Sequence, residues 1–278
     1  MARQRLYLAG GPQSSGSTLV SWCFLQRHDL DGVLDARFDR LPDPLPAVAT
    51  PFVWCKVTVA CFRLVEVVEH FLDAGYDVCP LLVVRDVRAV FHSLVDKPYG
   101  RNGTTADDPP LRMRLRRFLA DYADARRLGW PILRFEDVAD VRTAEAALRS
   151  ACAQLGLPWD EAMLTWPKSP ESLADPRHGN ATFRRCLGRG LAASVRSPGR
   201  LSVGRVPRDD LAWLERTFAS YNAELGYPAT VSGDASPPGR AVPQFAVTRA
   251  AWRERPRGWR RLQRWLSRPF HGWRATGA

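Results

Sequence analysis

The feature that most constrains this chain lies near its start. Residues 6–10, LYLAG, form an apolar run that ends at Gly10-Gly11 and leads through Pro12-Gln13-Ser14-Ser15-Gly16-Ser17-Thr18 into a helical pattern. An apolar strand, a glycine-bearing turn and a helix, in that order, open a parallel α/β sheet. The turn has the G-x4-G-x-[ST] spacing of a phosphate-binding loop, with Ser17 where a nucleotide-hydrolysing loop carries lysine. Backbone amides from Ser14 to Thr18 at a helix N-terminus can wrap an anion without that lysine. A plain Gly/Ser turn capped by Ser15 or Ser17 accounts for the same residues, so the loop alone leaves both readings open.

Further strands are expected at residues 52–59 (FVWCKVTV), 77–86 (DVCPLLVVRD) and 131–138 (PILRFEDV). Between and after them, 3.6-residue periodicity predicts helices over 62–75, 87–96, 111–128, 143–155 and 209–225, the last capped by Asp209. Continuous apolar strands alternating with amphipathic helices imply a parallel sheet covered on both faces. The predicted class is therefore α/β: a P-loop-like parallel β-sheet flanked by helices, over residues 1–232. Residues 165–208 are polar, weakly periodic and rich in Arg, Ser, Gly and Pro. Together with 97–110 they read as lids over a site, contributing no obvious core.

The chain has 278 residues and a net charge of +11, which suggests nucleic acid until it is divided. Residues 233–278 hold ten arginines against Asp234 and Glu254, so +8 of the +11 belongs to that end. Residues 233–247 read as a linker. Residues 248–278 read as a basic Arg/Trp-rich segment, with Trp259, Leu262 and Leu266 on one helical face between Pro256 and Pro269. Such a segment suits weak contact with an anionic membrane surface. Nucleic acid is the weaker alternative, and packing back onto the body is a third. No apolar run reaches the length of a membrane span, and the apolar stretch after the first residues is too short for a secretory signal. The expected compartment is therefore cytoplasmic. Six cysteines without a CxxC pair read as reduced thiols and argue against a zinc site. No metal is expected.

Arg85 stands at the carboxyl end of the 77–86 strand, where parallel sheets bind ligands. Ser93 lies about two turns into the next helix. The two can clamp a second phosphate; as the alternative, Arg85-Asp86 is a local capping pair.

With these residues assembled, the chain resembles the sulfotransferases. SSGSTL at 14–19 is similar to their 5′-phosphosulfate loop, [KR]-[ST]-G-[ST]-[ST]. RDVRAVFHS at 85–93 is similar to their 3′-phosphate element, R-D-P-R-x-x-x-x-S. RFEDV at 134–138 and HGNATFR at 178–184 resemble two weaker family segments. The likeness spans about residues 5–225 and is closer to carbohydrate- and protein-tyrosine-type members than to phenol-type ones. It implies 3′-phosphoadenosine 5′-phosphosulfate (PAPS) as donor and in-line transfer of a sulfuryl group, without a metal, to a small-molecule or carbohydrate hydroxyl. It assigns Ser14, Ser15, Gly16, Ser17 and Thr18 to the 5′ end of the donor, Arg85 and Ser93 to the 3′-phosphate, and Arg205 to a late loop closing on that phosphate.

The sequence departs from the family twice. Ser14 occupies the position of the basic residue that meets the bridging oxygen. Lys56-Val57-Thr58 keeps the lysine of the K-T-H element and lacks its histidine. Lys56 is therefore the candidate replacement cation, with a solvated strand-end lysine as the alternative. Asp35 falls about where protein-tyrosine-type members place their acidic base; Asp31, Asp39, His28 and His92 compete with it. Two other functions stay open: a nucleotide-dependent kinase or NTPase with a degenerate loop, in which Asp86 imitates a metal-binding strand end, and a non-enzymatic adaptor acting through the basic tail.

Overall fold

The computed structural model describes residues 3–36, 45–60, 62–95, 111–175, 181–195 and 206–228. Asp39, Arg205, residues 97–110, His178 and the whole 233–278 segment lie outside them. Among the described residues, no helix is long and apolar enough to cross a membrane.

Five parallel strands form one sheet: β1 (Arg5–Gly11), β2 (Leu30–Val33), β3 (Phe52–Thr58), β4 (Asp77–Val84) and β5 (Ile132–Arg134). Their spatial order is β2-β3-β1-β4-β5. Strand alternation divides the core in two. Leu6, Leu8, Val53, Cys55, Val57, Leu82 and Val84 face one layer, whereas Tyr7, Ala9, Trp54, Leu81, Val83 and Leu133 face the other. Both faces are apolar because both are covered, as the continuous runs predict.

The first layer holds α2 (Leu64–Asp73), α3 (Val87–Val95), α4 (Leu111–Leu128) and the closing pair of helices, Arg208–Thr217 and Ala219–Glu224. The second holds α1 (Ser17–Leu25), with Phe24 stacked on Trp54 at 4.5 Å between ring centroids.

The structure corrects four expectations. The 131–138 run is a strand only to Arg134; Phe135–Ala139 is a short helix, α5, because the apolar alternation ends at Phe135. The 209–225 helix is two helices, broken at Phe218, and Pro207 rather than Asp209 stands at its N-cap. The β2 strand was not expected, since LDGV carries little strand signal; it is held by its register on β3. Finally, the polar 165–208 stretch does supply core: Trp166, Phe183, Cys186 and Leu191 are all buried. Phe183 stacks on Trp22 of α1 at 4.8 Å, and Trp22 meets Trp166 edge-on at 6.2 Å. Its apolar residues are too widely spaced to show a period, yet each fills one place beside α1.

Candidate functional site

The chain leaves β1 toward β2 on one side of the sheet and later crosses to β4 on the other. The crevice between the carboxyl ends of β1 and β4 is thus the switch point where parallel sheets bind ligands. Both phosphate-loop and Arg85 candidates converge there.

The loop after β1 is a shaped turn. Ser14 takes a left-handed φ of 67°, a strained position for a residue with a side chain, and Gly16 takes φ 82° at the N-cap of α1. No side chain caps that helix: Ser15 Oγ accepts from the Ser17 amide at a long 3.4 Å. The Gly16 and Thr18 amides find no acceptor among the described residues, as the first turn of a helix requires. The loop admits no bulk at its glycines. A Cβ on Gly16 would sit 1.9 Å from the Phe135 ring, and one on Gly11 would sit 2.7 Å from the Val83 carbonyl. A backbone concavity lined by unpaired N–H groups suits an anion of phosphate or sulfate type.

Arg85 follows β4 and reaches into this loop, where its Nη1 donates to the Ser14 carbonyl at 2.8 Å. Its guanidinium lies over Phe135, 4.8 Å from the ring centroid, and Tyr221 Oη donates to its carbonyl at 2.7 Å. Burial pulls its pKa below the ordinary arginine value, opposed by Glu136 and Asp86. A cation kept partly dry in this way is improved most by an incoming anion. Of the Arg85-Asp86 pair only Asp86 caps: its Oδ1 accepts from the Arg88 amide at 2.9 Å at the start of α3, whereas Arg85 turns to the loop. Asp86 is buried and its two oxygens accept from Arg88 at 2.8 and 2.5 Å, while Glu136 holds the Asp86 amide at 2.9 Å. Both Asp86 oxygens are thus engaged by Arg88 at the position where the kinase alternative would place a metal ligand. Ser93 lies on α3, partly exposed.

The two candidates for catalysis touch each other. Lys56 sits on the α1 side of β3, two residues beyond Trp54, and is only 3% exposed, which excludes the solvated strand-end alternative. Its Nζ donates to Asp35 Oδ1 at 2.8 Å and to Thr58 Oγ1 at 2.9 Å. The Ala36 amide donates to the Lys56 carbonyl at 2.8 Å, and this contact draws Asp35 alongside the lysine. Thr58, standing where phenol-type members have histidine, thus helps to position the lysine. Asp35 keeps about a third of its side chain exposed, which leaves an oxygen for a substrate proton.

Two of the competing bases, Asp31 and His28, are committed elsewhere, and Asp39 lies outside the described residues. Asp31 Oδ1 accepts from the Gly32 and Ala174 amides at 2.7 and 2.9 Å and so secures β2. His28 lies beyond the far end of α1, bonded to Asp160 at 2.9 Å and 85% exposed. His92 lies on α3.

Sequence reasoning missed one basic residue at the loop. Arg114 on α4 is 6% exposed, and its Nη1 donates to Gln13 Oε1 at 2.5 Å. It sits on the buried face of an arginine-rich helix, where periodicity alone reads it as an exception to the apolar stripe.

A cavity of about 380 Å³ opens beside β5, lined in part by Tyr122, Arg126, Ile132 and Gln154. None of the loop residues, Lys56 or Asp35 borders it, so this hollow is separate from the strand-end crevice.

No family model matches the chain, and no curated protein matches it. Among solved structures, it is similar to the sulfotransferase domain of the Synechococcus PCC 7002 olefin synthase: 16% identity over 77% of this chain and 94% of that one, TM-score 0.44. It is likewise similar to mouse sulfotransferase SULT7A1 complexed with PAP: 12% identity over 81% of this chain and 88% of that one, TM-score 0.45. Both of these proteins are sulfotransferases.

Proposed function

We propose that the chain is a PAPS-dependent sulfotransferase acting on a hydroxyl of a small molecule or carbohydrate. The observation that carries this reading is the meeting of the Gly11–Thr18 turn with Arg85 at the β1/β4 crevice, with the Lys56–Asp35 pair on the adjacent strand end.

In this reading the amides and hydroxyls of Ser15 to Thr18 bind the 5′-phosphosulfate, and Arg85 with Ser93 binds the 3′-phosphate. Arg205, by the resemblance, joins them from the late loop. Asp35 accepts the proton of the acceptor hydroxyl as its oxygen bonds to sulfur. The bond from sulfur to the bridging phosphate oxygen breaks, and the electron pair leaves with 3′-phosphoadenosine 5′-phosphate (PAP). Lys56 fixes the Asp35 carboxylate and contributes positive field. Sulfuryl transfer, like phosphoryl transfer, draws its rate from in-line positioning and such fields.

Calorimetric titration with PAP, in the absence of magnesium, tests the donor site. Expected are micromolar binding by the wild type, its collapse in a folded Arg85→Ala variant, and much weaker binding of ATP. Magnesium-dependent ATP binding with no PAP signal would overturn the reading.

A further inference from the structure

The family's loop carries a cation directly before its S-G motif, and this chain has Ser14 there. The bridging oxygen gains negative charge as the sulfur bond breaks, so the loss of that cation calls for a replacement close to the loop. Arg85 is directed to the Ser14 carbonyl, and the positive field of Lys56 is offset at short range by the Asp35 carboxylate that it fixes.

Arg114 approaches from another direction. It comes from α4, a hundred residues later in the chain, is 6% exposed, and donates to the Gln13 side chain at 2.5 Å. A surface arginine bonded to a surface amide would mean little, because water screens it. Burial changes that, since the field of a desolvated guanidinium reaches the neighbouring loop at much lower effective dielectric. The contact also fixes the polarity of Gln13. With Oε1 accepting from Arg114, the Gln13 amide has only N–H donors left to offer a ligand. Gln13 adjoins Ser14, whose left-handed backbone sets the course of the loop.

We infer that Arg114, acting through Gln13, is a positioning residue that supplies the 5′-end cation missing at Ser14. The inference rests on the sulfotransferase reading and names the device by which this chain meets a requirement of that chemistry.

The test measures binding of PAP and of adenosine 3′-phosphate, which lacks the 5′ group, by calorimetry on the full chain. Arg114→Ala and Gln13→Ala are each expected to weaken PAP about tenfold, the loss of a charge-assisted hydrogen bond, and to leave adenosine 3′-phosphate unchanged. Arg114→Lys retains most of the PAP affinity. The decisive variant is the double change Arg114→Ala with Ser14→Arg, which returns the cation to the loop and is expected to recover most of the lost affinity. A purely structural Arg114 would not be rescued by a charge placed elsewhere.

Equal losses for both ligands, or no recovery in the double variant while thermal melting shows it folded, overturns the inference. Unchanged PAP binding in Gln13→Ala overturns it too, and does not depend on how well the Arg114 variants fold. If the wild type itself binds no PAP, it is the sulfotransferase reading that fails, and the two failures are distinguished by that first titration.

Discussion

Gly16 answers to two constraints at once. Its φ of 82° belongs to the left-handed region, and the Phe135 ring occupies the space a Cβ would need. Gly16→Ala is therefore expected to cost at least about 2 kcal/mol, read as a lower urea midpoint, and to abolish PAP binding by displacing the ring on which Arg85 rests. Asp35 and Lys56 make the complementary case, because their contact separates chemistry from binding. Asp35→Asn keeps the side chain's shape and removes the proposed base. Turnover should fall by roughly 10²–10⁴-fold, with PAP affinity little changed; a parallel loss of PAP affinity would move Asp35 from proton transfer to donor binding. These residues were legible in the sequence as types and spacings. Which of the acids meets the lysine was not, since Asp31 and Asp35 lie four residues apart and only the strand register sends one to the Ala174 amide and the other to Lys56.

At the scale of elements, the start of α2 shows how one helix completes another. Asp121 of α4 accepts from the Leu64 amide at 3.0 Å and from Arg63 Nε at 2.5 Å, and Glu66 reaches back to the Arg63 amide at 3.1 Å. Asp121 Oδ2 is buried without a hydrogen-bond partner among the described residues. Burial pushes the Asp121 carboxyl up to about 7, with Arg63 opposing. A carboxyl raised in the folded state binds more protons there than in the unfolded chain, so its contribution is fully present below the unfolded value and is lost as pH rises through about 7. Wild-type stability should accordingly fall between about pH 4 and pH 7, and Asp121→Asn should flatten that slope; urea midpoints across this range decide it. Trp166 argues the same point for the polar stretch. Trp166→Ala should cost about 3–5 kcal/mol, measured by thermal or urea unfolding, although its surrounding sequence reads as loop. A helix period or a strand alternation announces an element that buries one face continuously, and single anchors such as Trp166 and Phe183 bury one residue at a time.

At the scale of the molecule, β1 is central and its neighbours diverge on either side, and the candidate site and its supports contribute buried polar groups, Ser15, Ser17, Lys56, Asp86, Arg88 and Arg114 among them. Arg88 is such a support. It holds Asp86, reaches Glu215 at 3.3 Å and bonds the Pro228 carbonyl at 2.5 Å, tying the end of β4 to the last described residues. Among the described residues, both apolar clusters draw their members from Leu6 to Tyr227. On the reading of residues 233–247 as a linker, removal of residues 248–278 should leave the melting temperature and PAP affinity essentially unchanged; a large loss of either would place the basic segment in the fold or the site. The α/β class, the positions of four of the five strands, the glycine-bearing turn after β1 and the arginine at the end of β4 were legible in the sequence alone, because each is a local pattern of polarity, glycine and spacing. The tertiary structure alone decided that Arg85 bonds the turn and not Asp86, that Lys56 is buried against Asp35, and that Arg114 arrives at Gln13. Those contacts join residues 21 to 101 positions apart, and strand order and register, set by burial of two sheet faces at once, are what bring them together.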